Sequence, residues 1–169
     1  MKELLVIGSL PHERLGPIWV VLSAQGLVAL HMQASEEMVR ECYPDRLVEL
    51  TGERTAPVLA QLAAYLEGRA PHFDVAIDWS VLSTFQQQVL QRVLDIPYGQ
   101  TRTYHDIAIQ IGQAGAARAV GRANATNPMP IVIPCHRVLG ADGKLHGYSG
   151  PGGVETKAWL LKLEGSRLI

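Results

Sequence analysis

Short apolar runs, separated by turns that contain proline or glycine, open the chain. Residues 4–7, 18–22 and 27–32 are rich in leucine and β-branched residues. Runs of this length between turn signals predict a small antiparallel meander. Residues 35–42 fit a short helix and a strand equally well. Residues 73–79 alternate apolar and polar side chains, which predicts a further strand.

Two longer segments have the apolar spacing of helices. A predicted helix over 55–67, which Gly68 ends, has one apolar face. That face consists of Val58, Leu59, Leu62 and Leu66. A second predicted helix begins after Ser83, whose hydroxyl caps it while Gln86 completes a capping box, and it ends at the turn 96–99. Its buried stripe consists of Phe85, Val89, Leu90 and Val93.

The rest of the chain continues with short helices. Residues 103–111 and 116–124 fit two helices across a glycine-containing break, an arrangement typical of a helix-turn-helix. Residues 129–132 are predicted to be extended, and 154–164 to form a closing helix. The apolar residues that mark this last helix are Trp159, Leu160 and Leu163.

Composition narrows the class of protein. The 169 residues are 47% apolar and 18% charged, which suits one ordinary soluble domain or two small ones. The two cysteines, Cys42 and Cys135, are far apart, which argues against a disulfide framework or a thiolate zinc site and favours a reducing cytoplasm. No apolar run approaches the roughly 18 residues of a membrane span, and the first run is too short for a signal peptide.

Charge is distributed unevenly along the chain. The net charge is −1, but residues 1–89 carry 6 Lys and Arg against 11 Asp and Glu, whereas residues 90–169 carry 9 against 5. A basic half is compatible with a ligand that bears phosphate, because Lys and Arg displace counterions from nucleic acid. Ordinary surface variation explains the same gradient equally well.

Residues 133–138, Ile-Pro-Cys-His-Arg-Val, are the candidate chemical centre. A thiol reacts as thiolate, and a nearby imidazole or arginine favours that form. His136 and Arg137 directly follow Cys135, although neighbours in sequence need not touch. Taken alone, such a Cys-His pair is more often structural. The other histidines are scattered, so no metal site is predicted.

The surroundings of this hexapeptide carry a resemblance. Residues 127–140, with 96–99, Tyr104 and 116–121, closely resemble the O6-alkylguanine-DNA alkyltransferase family, and the similarity runs from about 85 to 165. The resemblance implies an α+β protein. An RNase H-like N-terminal sheet domain with a helix, residues 1–80, would precede a mainly α-helical domain, residues 81–169, that holds the helix-turn-helix and the cysteine.

The resemblance also implies a reaction. An alkyl group leaves O6 of guanine, or O4 of thymine, and joins the Cys135 sulfur once, without a cofactor. His136 takes the thiol proton through a water, and Glu164 polarises that histidine. Asn127 fixes the cysteine loop. Tyr104 helps to turn the damaged nucleotide out of the duplex and supplies a proton as guanine leaves.

The implied partner is double-stranded alkylated DNA, with the small-residue helix in the minor groove and Arg118 filling the gap left in the base stack. Protein partners are not indicated. The residues implied in DNA binding are Arg118, Ala119, Gly121, Arg122 and Ala123. The residues implied in the substrate pocket are Pro130, Val138, Tyr148 and Ser149, with the backbone carbonyls of Cys135 and Val138 accepting from the guanine amino group.

Two alternatives and one departure accompany this interpretation. Alkyltransferase-like proteins bind damaged DNA without transferring the alkyl group, but they lack the cysteine that this chain has as Cys135. A Cys-His hydrolase would need an oxyanion hole and would turn over repeatedly. Residues 151–153 make the segment before the closing helix about two residues longer than in many relatives, at the lip of the expected pocket. No zinc ligand set like that of some relatives is found.

Overall fold

The computed structural model describes residues 3–166, which form two compact units. The chain passes from the first to the second between Val81 and Leu82. The first unit is a small mixed sheet with two helices, and the second is mainly helical. The α+β class predicted from the sequence is therefore confirmed. Within residues 3–166 no helix has the length and hydrophobicity needed to span a bilayer.

A four-stranded sheet forms the centre of the first unit. Its strands are β1 (Leu4–Leu10), β2 (Ile18–Leu22), β3 (Leu27–Met32) and β4 (Leu47–Leu50). The first three form the predicted antiparallel meander, with Val21 opposite both Ile7 and Ala29. β4 pairs in parallel with β1 and gives the order β3-β2-β1-β4. It was not predicted, because it is short and only Val48 is even partly buried.

Two helices pack on the sheet. The ambiguous segment is α1 (Glu36–Glu41), capped by the Ser35 hydroxyl, which accepts from Met38 N at 3.2 Å. α2 (Gly52–Leu66) begins three residues earlier than predicted and lies against β1 and β2. All five residues of β2 are buried, which is why β2 lacks the alternation of a half-exposed strand.

The strand predicted over 73–79 is wrong. Only Ile77 forms a β-bridge, to Leu27, through hydrogen bonds from Leu27 N to Ala76 O and from Asp78 N to Leu27 O. The alternating apolar side chains are partly buried, so the pattern reflects an extended segment lying on the unit. Apart from this bridge the segment has no ladder of backbone hydrogen bonds to β3, and a β-strand requires such a ladder.

Asp78 lies near the C-terminal end of this segment. Its carboxylate is buried and accepts from the hydroxyls of Ser23, at 2.6 Å, and Ser80. Burial alone would raise the pKa of Asp78, but hydrogen bonds from Ser23 and Ser80 outweigh burial, so the pKa lies below its usual value. A carboxylate bonded in this way stabilises the fold only while it is ionised.

We expect Asp78→Asn to destabilise the protein by about 1–3 kcal/mol at neutral pH. The unfolded pKa is the higher one, so the carboxylate's contribution is complete above about pH 5 and is lost as the pH falls through the lower folded value. Urea unfolding of both proteins should therefore give a stability difference that shrinks as the pH falls from about 5 towards 3. A difference that does not change with pH would contradict this role of the carboxylate.

Four α-helices and two short strands belong to the described part of the second unit. They are α3 (Thr84–Leu94), β5 (Arg102–Thr103), α4 (Tyr104–Gln110), α5 (Ala117–Ala125), β6 (Val138–Leu139) and α6 (Val154–Leu163). Helices α3, α4 and α5 pack on one another, and the predicted helix-turn-helix is confirmed as α4 and α5. β5 pairs in parallel with β6 and so joins the start of α4 to the segment that follows Cys135.

Helix caps were predicted only in part. The Ser83 hydroxyl caps α3 by accepting from Gln86 N, as predicted, but the Gln86 side chain donates to Thr126 Oγ1 at 2.9 Å. A full capping box occurs instead at α4, where Thr103 and Asp106 bond each other's backbone N–H. The Thr-x-x-Asp spacing before α4 could have predicted it.

Candidate active site and nucleic-acid interface

A buried turn between α5 and β6 carries Cys135. The Asn127 side chain holds it from within: Nδ2 donates to Ile133 O at 2.9 Å, and Oδ1 accepts from Met129 N at 3.0 Å. Cys135 itself begins a single 3₁₀ turn, Cys135–Arg137, and is 3% exposed. Both contacts of Asn127 lie within the segment that leads into Cys135.

The extended conformation predicted for 129–132 is wrong. Ile133 N donates back to Met129 O at 2.9 Å, and Ile131 has φ +73°, in the left-handed region. A β-branched residue rarely adopts this conformation. Ile131 is nevertheless buried, so packing and the bonds to Asn127 hold the turn against its local preference. A local sequence pattern does not show where contacts with other segments offset an unfavourable backbone conformation.

His136, Arg137 and Glu164 form a buried polar cluster beside the cysteine. His136 Nε2 lies 2.8 Å from Glu164 Oε1. The Arg137 guanidinium also pairs with Glu164, at 2.9 Å, and donates to the carbonyl of Ile96. Because a carboxylate only accepts, Nε2 is assigned the ring proton and Nδ1 remains the acceptor of a neutral imidazole. Burial lowers the pKa of His136, although Glu164 acts in the opposite direction. The ring is therefore neutral and can accept a proton.

Burial also has the largest effect on the pKa of the Cys135 thiol. It raises the pKa of Cys135, while the Asn127 side chain, the charge of Lys157 and the backbone N–H groups of Cys135 and His136 act in the opposite direction. A thiol that is protonated at rest needs a base to become a nucleophile. His136 is the adjacent residue with that capacity.

Two further side chains reach the cysteine segment, and sequence reasoning missed both. Lys157 on α6 is fully buried, and its Nζ donates to Val138 O at 2.6 Å and to His146 O at 3.0 Å. Asn124 on α5 is buried, and its Nδ2 donates to Cys135 O at 3.2 Å. Burial lowers the pKa of Lys157 to about 8, and a charge on Cys135 opposes that effect.

The buried face of α6 is only partly apolar. Of the three apolar residues that mark this helix in the sequence, Leu160 is buried, whereas Trp159 and Leu163 are only partly buried. The fully buried positions are Thr156, Lys157, Leu160 and Leu161, with Glu164 at the C-cap. Lys157 and Glu164 therefore lie on the helix face that points inward, at 3.6-residue spacing with two leucines. The occurrence of charged residues at the spacing of the buried stripe was the sequence signal that could have identified Lys157.

The remaining predicted site residues lie around this centre. Tyr104 is partly buried, and burial followed by the charge of Cys135 raises its pKa. Val138 and Pro130 are buried, whereas Ser149 is exposed. The hydroxyl of Tyr148 is buried without a hydrogen-bond partner among the described residues. No group of three or more His, Cys, Asp or Glu within residues 3–166 is arranged to hold a metal ion.

Helix α5 presents the residues implied in DNA binding in two ways. Arg118, Ala119 and Arg122 are exposed. Gly121 is partly buried, and a side chain there would meet the ring of Tyr104 at 3.9 Å, while Ala123 is buried. A groove of about 660 Å³ runs between α5 and the start of α3. It is lined by Ser83, Phe85, Gln86, Arg118, Ala119, Arg122, Ala123 and Thr126.

A helix-turn-helix joined to a buried cysteine, histidine and carboxylate defines a class of DNA-binding protein with a reactive thiol. The family model described as 6-O-methylguanine DNA methyltransferase, DNA binding domain, matches residues 84–166. A methylated-DNA--protein-cysteine methyltransferase of Mycobacterium leprae is 42% identical over 157 residues, which cover 92% of this chain and 90% of that protein. The chain therefore belongs to the methylated-DNA--protein-cysteine methyltransferase family.

Other relatives agree with this assignment. The protein of the same name from Mycobacterium tuberculosis is 55% identical over 107 residues, and this match spans 63% of each chain. The crystal structure of the O6-methylguanine methyltransferase of M. tuberculosis superposes with a TM-score of 0.78 at 40% identity, covering 95% of this chain and 92% of that one. The M. tuberculosis protein has also been solved in complex with DNA, with a TM-score of 0.78, 39% identity and the same coverage.

Proposed function

We propose that this protein repairs DNA by moving the alkyl group of O6-alkylguanine, and of O4-alkylthymine, to the sulfur of Cys135. The observation that most directly supports this proposal is the position of Cys135. It is buried beside the His136–Glu164 pair in a chain of the methylated-DNA--protein-cysteine methyltransferase family. The substrate is an alkylated base in duplex DNA, and the product is a thioether on the protein.

The groups present account for each change in bonding. The Cys135 proton passes to His136 Nδ1 through a water, and Glu164 stabilises the imidazolium that forms. The thiolate attacks the alkyl carbon, a C–S bond forms, and the C–O bond to the base breaks. The leaving oxygen makes the base an anion, which takes up the proton of the Tyr104 hydroxyl, and the His136 imidazolium returns a proton to Tyr104 through solvent, so that one proton passes in net from Cys135 to the base. No cofactor enters this balance.

The thioether product limits each molecule to one reaction. A C–S bond of this kind does not hydrolyse under physiological conditions, unlike the acyl-enzyme of a Cys-His hydrolase. The protein is consumed stoichiometrically, one molecule for one lesion. A damage-binding protein without transfer is the alternative from the sequence, and the presence of Cys135 beside a base argues against it.

The DNA interface of the proposal is α5. Its exposed Arg118, Ala119 and Arg122 face outward from the helix-turn-helix, and the small residues suit the minor groove, which is only about 6 Å wide. The positive balance of residues 90–169 favours duplex DNA, and the M. tuberculosis relative solved with DNA supports the same partner. Arg118 is proposed to replace the nucleotide that is flipped out of the stack.

The pocket for the flipped base is proposed to lie between the Cys135 turn and the segment that includes Tyr148 and Ser149. The carbonyls of Cys135 and Val138 already accept from Asn124 and Lys157. A carbonyl oxygen has two lone pairs, and that of Cys135 also accepts from Val138 N, so the guanine amino group is proposed to share or replace one of these donors. The unpartnered Tyr148 hydroxyl offers the base a further hydrogen bond, and Pro130 contributes to the buried turn.

Two broader assignments belong to the same proposal. The first unit corresponds to the RNase H-like N-terminal domain, residues 1–80, and the second to the DNA-binding and alkyl-acceptor domain, residues 81–169. The protein acts in the cytoplasm, where a free reactive thiol stays reduced.

Arg118→Ala is expected to slow repair of a lesion in duplex DNA by about 10-fold or more, because the variant leaves the gap in the stack unfilled and unstacking costs a few kcal/mol. Transfer from the free methylated base should change little, since that reaction needs no unstacking. Single-turnover rates on both substrates test this. Arg92→Ala, an exposed arginine on α3, is the matched control. Equal losses on both substrates would contradict the proposed role.

The function as a whole is tested by intact-protein mass spectrometry after incubation with a duplex oligonucleotide containing O6-methylguanine. We expect one methyl per protein molecule, mapped to the peptide with Cys135, and no further turnover. Cys42, the exposed second cysteine, supplies the control: Cys42→Ala should accept the same single methyl. Binding without a mass change would favour the damage-binding alternative, and continuing product release would favour a hydrolase.

A further inference from the structure

Lys157 carries a buried positive charge that no described carboxylate neutralises. The buried charged side chains of the second unit, within the described residues, are Arg137, Lys157 and Glu164. Arg137 and Glu164 pair with each other. The hydrogen bonds of the Lys157 ammonium, by contrast, go to two carbonyl oxygens among residues 3–166, those of Val138 and His146.

An ammonium held only by neutral carbonyls is expensive to bury. Moving a charge from water into a protein interior costs several kcal/mol, and hydrogen bonds to carbonyls offset only part of it. A buried lysine is therefore normally paired with an anion. Among the described residues, Cys135 interacts electrostatically with Lys157, and it is the group that must become an anion before the proposed alkyl transfer.

The electrostatic coupling between the two side chains is mutual. The positive charge of Lys157 lowers the pKa of the Cys135 thiol, and a negative charge on Cys135 raises the pKa of Lys157. The ammonium also lies 6.0 Å from the centre of the ring of Tyr104, the residue that is proposed to protonate the leaving base.

The other titratable groups around the pair do not supply the missing negative charge. They are His136 and Arg137 on the cysteine turn, Tyr104 on α4, His146 and Tyr148 before α6, and Glu164 after it. Burial raises the pKa of both tyrosines and lowers that of His136, so these three are neutral. The exposed His146 pairs with Asp142 at the surface. Glu164 is engaged by Arg137 and His136.

We propose that the Lys157 ammonium is the counter-charge of the Cys135 thiolate, so that Lys157 has an anionic partner only when the sulfur is ionised. The thiol proton goes to His136, and the charge left on sulfur faces Lys157. When the C–S bond forms, the sulfur becomes neutral and Lys157 loses its partner. The inference rests on the proposed function in taking Cys135 as the reacting group, but it can be tested without DNA.

The test is the pH dependence of Cys135 alkylation by iodoacetamide, a small neutral reagent, in a Cys42→Ala background. Lys157→Gln retains a donor for the two carbonyls and removes the charge. We expect it to raise the midpoint of the pH profile by about one unit or more, a roughly tenfold loss of thiolate at neutral pH. Lys157→Arg, which restores the charge, should bring the midpoint back towards the unsubstituted value. Lys162→Gln, exposed on the same helix, should leave it unchanged. Identical profiles with and without the Lys157→Gln substitution would overturn the proposal.

A second measurement applies if Lys157→Gln fails to fold. In the Cys42→Ala protein labelled with ¹⁵N-lysine, the Nζ signal of Lys157 is titrated before and after Cys135 is carboxamidomethylated. Loss of the thiolate should lower the Lys157 midpoint, and an unchanged midpoint would overturn the proposal. These readouts are separate from methyl transfer. A protein that couples Lys157 to Cys135 but takes no methyl from DNA refutes the proposed function alone.

Discussion

In a Cys135→Ala variant, alkyl transfer from DNA to the protein is expected to fall by at least about 10³-fold, because the nucleophile is removed and no second thiol lies in the site. DNA binding should be nearly unchanged, since the sulfur is buried and the exposed α5 residues are left intact. Transfer is measured by protein mass and by loss of the lesion, and binding by fluorescence anisotropy.

The paired control is Cys42→Ala, which removes the exposed thiol and keeps the buried one. It should transfer as the unsubstituted protein does. Substantial residual transfer by Cys135→Ala, or a methyl found on Cys42, would show that the acceptor has been assigned to the wrong residue. A parallel loss of DNA binding would show instead that Cys135 maintains the interface.

In a Glu164→Ala variant, the free energy of unfolding is expected to fall by about 3–5 kcal/mol, because the Arg137 guanidinium would stay buried without its carboxylate. Glu164 also accepts from Gly99 N at 3.2 Å and lies 2.8 Å from His136. Alkyl transfer should fall as well, by about 10²-fold or more, since the imidazolium loses its stabilising charge. Urea unfolding and single-turnover rates measure the two effects.

A double variant separates charge pairing from packing. Arg137→Met combined with Glu164→Ala removes both charges, so it should be more stable than Glu164→Ala alone. Glu155→Ala, at an exposed position of the same helix, should change stability by less than about 0.5 kcal/mol. If Glu164→Ala costs no more than Glu155→Ala, the buried cluster does not hold the site together.

The parts of the site that are contiguous in sequence could be predicted. Cys135 and His136 are neighbours, and their motif is long enough to identify a family. The meander was predictable because each turn joins consecutive strands. Local pattern also predicted the Ser83 cap, although the expected partner of Gln86 was wrong. These features depend on interactions within a few residues, where sequence spacing determines geometry.

Contacts between distant segments could not be predicted in the same way. The partners of Lys157 and Asn124 lie 19 and 11 residues away, so no local spacing indicates them. β4 pairs with β1 through a long connection that contains β2, β3 and α1, and its own sequence is short and exposed. The turn at Ile131 opposes the preference of its residue, and packing together with the hydrogen bonds of Asn127 stabilises it.

The left-handed backbone of Ile131 has a consequence for the spent protein. A β-branched residue in that region costs roughly 1–2 kcal/mol, and the close packing of the Cys135 turn keeps it there. A methyl group on the sulfur must occupy space in this same packed turn. We therefore expect the protein methylated on Cys135 to be less stable than the unmodified protein, so that used copies would differ from fresh ones in the local order of this turn.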